Sequence, residues 1–233
     1  MQIKDSVAFV TGANRGLGLA LAQELLARGA KKVYAGVRDP QSIRLPGVVA
    51  VKLDVTNPDD VAAAAAQCGD VTLLINNAGI ARFIDYRDPA AIDTAREMLD
   101  ANYLGPIRMS QAFTPILAGN GGGAIVNVLS VASWVNAGEL SLYAASKSAV
   151  WGFTNGLRTA LREQGTQVLG LHVGFMDTDM TDGIDLPKVR PEDVANATLD
   201  GVENGLEEVL ADDISRAVKA GLSSGIYLAP LPR

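Results

Sequence analysis

Short apolar runs alternate with helix-period segments along most of this chain. Val7-Ala8-Phe9-Val10 is an apolar run closed by Thr11-Gly12, the pattern of a buried strand. Leu17, Leu21 and Leu25 then recur at helical spacing. Further strand-like runs cover 32–37, 48–53, 71–75, 124–129 and 167–173, with 208–211 as a candidate last strand. Helical patterns separate them. One is alanine-rich and opened by Asn57-Pro58-Asp59-Asp60. One runs over 93–117 with Pro106 and Pro115 as disturbances, and one continues from Tyr143 to about Arg162. A last helix is expected from Pro191 to about Asn204, and an amphipathic segment over 214–222. This alternation predicts the α/β class, with a parallel sheet covered by helices on both faces. No internal repeat, low-complexity block or linker interrupts it, so residues 1–233 are expected to form a single domain.

The first strand leads through Gly12-Ala13-Asn14-Arg15-Gly16-Leu17-Gly18 into the first helix. A glycine-rich turn there lets a phosphate approach free backbone N–H groups at the positive end of the helix dipole. The expected architecture is therefore a Rossmann-type doubly wound sheet that binds a dinucleotide. The spacing is G-x-x-x-G-x-G rather than G-x-G-x-x-G. The second strand ends where an acidic residue would grip the ribose 2′-hydroxyl of NAD. Val37 and Arg38 stand there, with Asp39 beside them. Arg15 and Arg38 can converge on a 2′-phosphate, for which the forked guanidinium is suited, so NADP (as NADPH) is the expected cofactor.

Composition narrows the setting. A net charge of −6 argues against nucleic acid or an anionic membrane as partner. Cys68 is the single cysteine, no signal peptide is visible and no apolar run is long enough to span a bilayer, so a cytoplasmic protein is expected. His172 is the single histidine; no metal site is expected, and His172 itself reads as a strand residue near the core.

The chemistry centres on 130–147. Tyr143 and Lys147 lie four residues apart and project from one helical face. A free phenol titrates near pKa ~10, and an ammonium one turn away favours the phenolate. Ser130 follows the run 124–129, so a strand-end hydroxyl and a helix-start phenol can hold one carbonyl oxygen between them. Alone, Tyr-x-x-x-Lys is common and reads more readily as a surface tyrosine with a solvated lysine; the rest of the chain changes that. Asn76-Asn77-Ala78-Gly79 forms a turn of small and amide residues after the fourth strand, and Asn102 lies within the 93–117 helix, where an amide beside a proline binds a freed carbonyl or a water.

Thr11-Gly12-Ala13-Asn14-Arg15-Gly16-Leu17-Gly18, Asp54-Val55, Asn76-Asn77-Ala78-Gly79, Asn102, Ser130, Tyr143-x-x-x-Lys147 and Gly174-x-x-x-Thr178 occur in this order over roughly residues 5–180. The set closely resembles the short-chain dehydrogenase/reductase family. The resemblance implies a seven-stranded parallel sheet. It implies Tyr143 as general acid/base, Lys147 lowering its pKa and bonding the nicotinamide ribose, Ser130 orienting the substrate oxygen and Asn102 holding a relay water. It implies that Gly12, Asn14, Arg15, Gly16, Leu17 and Gly18 face the adenosine and pyrophosphate, and that Arg38 takes the 2′-phosphate. Asp54 and Val55 would flank the adenine, Asn77, Ala78 and Gly79 line the cofactor, and Gly174, Phe175 and Thr178 approach the nicotinamide. Ser133 is a rival to Ser130 at the wrong family spacing. Two departures stand out: Val173-Gly174 replaces the family's Pro-Gly, and 222–233 replaces its glycine-rich end. The first loosens the loop entering the substrate site, and the second bears on the tetramer contact. A homodimer or homotetramer is implied.

The leading reading is thus an NADPH-dependent carbonyl reductase, reversible to alcohol oxidation. Trp134, Leu140, Phe175, Met176 and Met180 point to a small apolar or aromatic carbonyl substrate, although Met and Phe equally fill cores. A non-catalytic NADP-binding regulatory protein would not need the Asn-Ser-Tyr-Lys set. A sugar-nucleotide epimerase would usually carry more chain after Phe175.

Overall fold

Seven strands, all parallel, lie in the order β3-β2-β1-β4-β5-β6-β7. They are β1 (Val7–Thr11), β2 (Lys32–Val37), β3 (Val49–Lys52), β4 (Leu73–Asn76), β5 (Gly123–Val128), β6 (Thr166–His172) and β7 (Glu208–Leu210). The computed structural model describes residues 1–136 and 138–228. Each expected strand is present with ends displaced by at most two residues, and the seven-stranded doubly wound sheet is as expected.

Side-chain alternation along the strands feeds two cores. Ala8, Val10, Leu73, Ile75, Ala124 and Val126 face one side, where α1 (Gly16–Ala27) and α6 (Pro191–Glu203) pack. Val7, Phe9, Leu74 and Ile125 face the other, against α2 (Pro58–Gln67), α4 (Gly105–Gly119) and α5 (Ser141–Leu161). Strands buried on both faces explain why they read as continuous apolar runs rather than as alternating ones.

The 93–117 segment is not one helix. α3 (Ala91–Leu99) and α4 are joined by a π-helical turn, Asp100–Leu104, that contains Asn102. Pro106 has no amide to offer the Asn102 carbonyl and its ring crowds that position, so the helix widens just before it. Chain beyond α6 and β7 forms α7 (Asp213–Gly221) and two short 3-10 turns, Leu222–Ser224 and Ile226–Leu228. Of the end that replaces the family's glycine-rich tail, 229–233 lies outside the described residues.

A buried polar ladder joins the sheet to α5. Asn76 Nδ2 donates to Asn127 Oδ1 (2.8 Å), Asn127 Nδ2 to Thr154 Oγ1 (2.9 Å), and Thr154 Oγ1 to the Val150 carbonyl (2.7 Å). Asn127 is fully buried within a run that otherwise reads as apolar. Its replacement by the similarly sized leucine strands the Asn76 amide, whose Oδ1 already lacks a partner. Asn127→Leu is expected to lose about 2 kcal/mol, lowering the melting temperature by roughly 4–8 °C in thermal denaturation followed by circular dichroism.

Candidate active site

The carboxyl ends of the strands open into one cleft of about 1630 Å³, where an open α/β sheet binds its ligands. Every residue expected to contact cofactor or substrate lines it except Asn102 and Trp134.

At one end lies the glycine turn. Gly12 and Gly16 have positive φ (67° and 52°), a conformation that suits glycine. A Cβ on Gly18 would lie 2.2 Å from the Gly12 carbonyl oxygen, so only glycine lets α1 begin this close to the turn. Arg15, the residue before α1, makes no side-chain cap, and the first-turn amides keep their donors for a ligand. Thr11 Oγ1 accepts from the Asn77 and Ala78 amides (both 2.9 Å), while Asn77 Nδ2 donates to the Thr11 carbonyl (2.9 Å). These bonds lock the loops after β1 and β4 into one cradle. An uncapped helix start behind a side-chain-free turn fits a dinucleotide pyrophosphate.

The two arginines differ. Arg38 is exposed at the end of β2. Arg15 does not stand free beside it: its guanidinium pairs with Asp179 at 2.9 Å, and both side chains are largely exposed. Asp179 thus offsets a cation that stands beside the positive end of the α1 dipole. Asp39 lines the cleft beside Arg38, and its Oδ1 accepts from the Gln41 amide (2.9 Å) to cap a 3-10 turn. Asp54 accepts from the Thr56 amide (2.9 Å) and hydroxyl (2.7 Å), shaping the loop it shares with Val55.

At the other end, Ser130 follows β5 and Tyr143 sits in the first turn of α5. The Ser130 oxygen accepts from the Ala132 amide (3.1 Å), and the same hydroxyl lies on the Tyr143 side of the cleft, where it favours the phenolate. Lys147 is almost entirely buried; its Nζ donates to the Val128 carbonyl (2.8 Å) and lies 5.9 Å from the Tyr143 ring centroid. Burial pushes the Tyr143 phenol up to about 12, with the Ser130 hydroxyl opposing. Burial also pulls the Lys147 ammonium down to about 8. Desolvation of the phenol outweighs the influence of an ammonium turned toward the strand end.

Asn102 lies behind the cleft wall. Its amide nitrogen donates to the Ile80 carbonyl (2.8 Å) and the Ser146 hydroxyl (3.0 Å), and its oxygen accepts from the Ile80 amide (2.8 Å). It thereby bonds the loop after β4 and α5, not a carbonyl freed by Pro106. A Cβ on Gly79 would come within 3.0 Å of the Asn102 oxygen and 3.8 Å of Lys147 Nζ, so a side chain there would crowd both. Ser146 passes the link on to the Tyr143 carbonyl (2.7 Å). Sequence reading left Ser146 without a role, although it stands between Tyr143 and Lys147.

Ser133 donates to the Lys147 carbonyl (3.2 Å) and does not line the cleft, which removes the rival to Ser130. His172 is a buried strand residue, as expected. Its ring stacks on Trp134 at 3.7 Å between centroids, and burial pulls its pKa down to about 4. Trp134 is thus wall filling behind the cleft, whereas Leu140, Phe175, Met176 and Met180 do line it. Ile214, Val218 and Ile226 add a further apolar wall that sequence reading did not assign to the site. The amphipathic 214–222 pattern was its visible signal.

A family model for short chain dehydrogenase matches residues 6–188. An uncharacterized oxidoreductase of Staphylococcus aureus (strain USA300) is 31% identical over 214 residues, covering 84% of this chain and 90% of that protein. A short chain dehydrogenase from Burkholderia cenocepacia J2315, solved in complex with NADP, is 40% identical with a TM-score of 0.91, covering 97% of this chain and 95% of that one. The NADPH-bound carbonyl reductase from chicken fatty liver is 32% identical with a TM-score of 0.80, covering 91% and 100%.

The buried Lys147 ammonium should cost stability. Its folded pKa, about 8, lies below the ~10.5 of an exposed lysine, so the unfolded chain binds more protons between those values and stability rises with pH across that window. Below it the cost is full, at most roughly 3 kcal/mol, and Lys147→Met would offset that gain by about 1 kcal/mol for the lost bond to Val128. Lys147→Met is therefore expected to melt several degrees higher than wild type at pH 7, with the gap closing by pH 10.5. A variant less stable at pH 7 would refute the buried charge as a net cost.

Proposed function

We propose that this chain, which belongs to the short-chain dehydrogenase family, is an NADPH-dependent reductase that converts a small apolar ketone or aldehyde to its alcohol, reversibly. The observation that carries the reading is the meeting of Ser130, Tyr143 and Lys147 at the apolar end of a cleft whose other end is the glycine cradle. NADPH, when bound, supplies a hydride to the carbonyl carbon. The cradle from Gly12 to Gly18 would take its pyrophosphate, with Arg38 at the 2′-phosphate and Gly174, Phe175 and Thr178 on the nicotinamide side.

The protein's own part is proton delivery. Ser130 donates to the carbonyl oxygen and orients it, and Tyr143 releases its phenolic proton to that oxygen as negative charge builds there. A raised pKa keeps Tyr143 protonated across the neutral range, so the donor is loaded before reduction begins. The phenolate then left behind sits one helical turn from the Lys147 ammonium, whose field favours it. Both protons of the Asn102 amide nitrogen are already taken by Ile80 and Ser146. A relay water would therefore donate to the second lone pair of the Asn102 oxygen.

Tyr143→Phe removes the transferable proton and little else. It is expected to lower kcat by at least about a hundredfold while leaving the Kd for NADPH within a few fold. Absorbance assays over a ketone panel and fluorescence titration of NADPH measure the two; a variant that keeps most of its kcat would sink the role.

NADPH is expected to be preferred over NADH by roughly tenfold to hundredfold in kcat/KM, the worth of about 1.5–3 kcal/mol for a charge-assisted contact. Because Asp179 already holds Arg15, Arg38→Ala should erase most of this preference and Arg15→Ala less of it. The ratio of kcat/KM values in the wild type and both variants is the check, and a preference that survives in Arg38→Ala refutes the assignment.

A further inference from the structure

Asp212 is a buried carboxylate that no step above uses. It stands just before α7, and its two oxygens go to two backbone amides on different elements. Oδ1 accepts from the Ser215 amide (2.6 Å) and caps α7. Oδ2 accepts from the Gly174 amide (2.5 Å), at the mouth of the loop after β6. A buried charge is tolerated only when hydrogen bonds replace its lost water, and both oxygens are satisfied here by N–H donors, with the positive end of α7 adding to them.

What it joins gives the carboxylate its consequence. Gly174 lines the cofactor side of the cleft, and a Cβ there would lie 3.1 Å from Asp212 Oδ2. α7 presents Ile214 and Val218 to the same cleft, and Val218 packs with Trp134 and Val135. Val173, which stands where a proline would stiffen this loop, is held on its other side by the Val131 amide donating to its carbonyl (3.0 Å). The loop therefore draws rigidity from hydrogen bonds, and among the described residues Asp212 is the side chain that hydrogen-bonds it to the start of α7.

We propose that Asp212 is a positioning residue: it clamps the nicotinamide-facing loop at Gly174 to the apolar wall on α7, and so sets the distance between the bound cofactor and the substrate. This rests on the reductase reading above. A carboxylate has two acceptor oxygens and suits the task; an asparagine would turn an NH2 group toward one of the two amides.

The discriminating variant is Asp212→Ser. A serine hydroxyl still caps α7 through the Ser215 amide but does not reach Gly174 as well. Asp212→Ala loses both bonds. Amide hydrogen exchange at Gly174, read by NMR on the ligand-free protein, is expected to be at least about tenfold faster in Asp212→Ser than in wild type. Ketone kcat/KM is expected to fall about tenfold or more, because small misplacements of reacting groups are costly. The Kd for NADPH should move less than about threefold, since the cradle at Gly12–Gly18 holds the other end of the cofactor. The melting temperature should stay near wild type in Asp212→Ser and fall further in Asp212→Ala.

Unchanged exchange at Gly174 overturns the clamp. So does an unchanged kcat/KM, or a loss matched by equal weakening of NADPH binding. A wild-type protein that binds NADPH yet reduces no ketone overturns the reductase reading instead, and the Gly174 exchange rate still decides whether the clamp exists.

Discussion

Everything at the reacting end depends on how α5 is fastened to the end of β5. Tyr143 and Lys147 ride on the helix, Ser130 follows the strand, and neither element alone makes a site. Two buried bonds join them: Asn127 to Thr154 and Lys147 to the Val128 carbonyl. Both are polar and shielded from water, where an unmade bond costs more than a made one gains. That asymmetry fixes a single position for the helix, because sliding α5 along the sheet would break both together. Asn102 repeats the device from the other side, tying the loop after β4 to Ser146 on the same helix.

The same burial that fixes the geometry sets the electrostatics. Enclosing the phenol raises its pKa and enclosing the ammonium lowers its own, so each is pushed toward neutrality. For a proton donor this is useful: a tyrosine that holds its proton at neutral pH is ready to give it to an oxygen acquiring negative charge. For the fold it is a burden, and a charge kept where it costs stability is one mark of a functional site. The cofactor end works by opposite means. There the backbone amides of the glycine turn are the free donors, and the charge pair Arg15 with Asp179 is exposed and correspondingly weak.

Much of this was legible in the chain. Buried parallel strands announce themselves as short apolar runs, and all seven appear where those runs lie. The glycine turn was readable because close approach of α1 to β1 leaves no room for a side chain at Gly18. Tyr143 and Lys147 were readable because helical spacing alone puts them on one face. Asn127 was not, because a single amide inside an apolar run carries no local sign of the partner 27 residues away that satisfies it. The Pro106 disturbance marked a perturbed helix but not its form, since a π turn depends on what Asn102 reaches across the site.

By itself, then, the sequence determined the elements, the layer class, the glycine turn and the candidate site side chains, all of which follow from local spacing and periodicity. Only the tertiary structure decided which charges meet. Arg15 pairs with Asp179 rather than standing beside Arg38, Lys147 turns to Val128 rather than to the phenol, and Asp212 joins Gly174 to α7. Desolvation decided the direction of each pKa. The physical reason is the same throughout: periodicity is a property of neighbours in the chain, whereas burial and hydrogen-bond partnership belong to neighbours in space, and those exist only once the sheet has brought its loops to one edge.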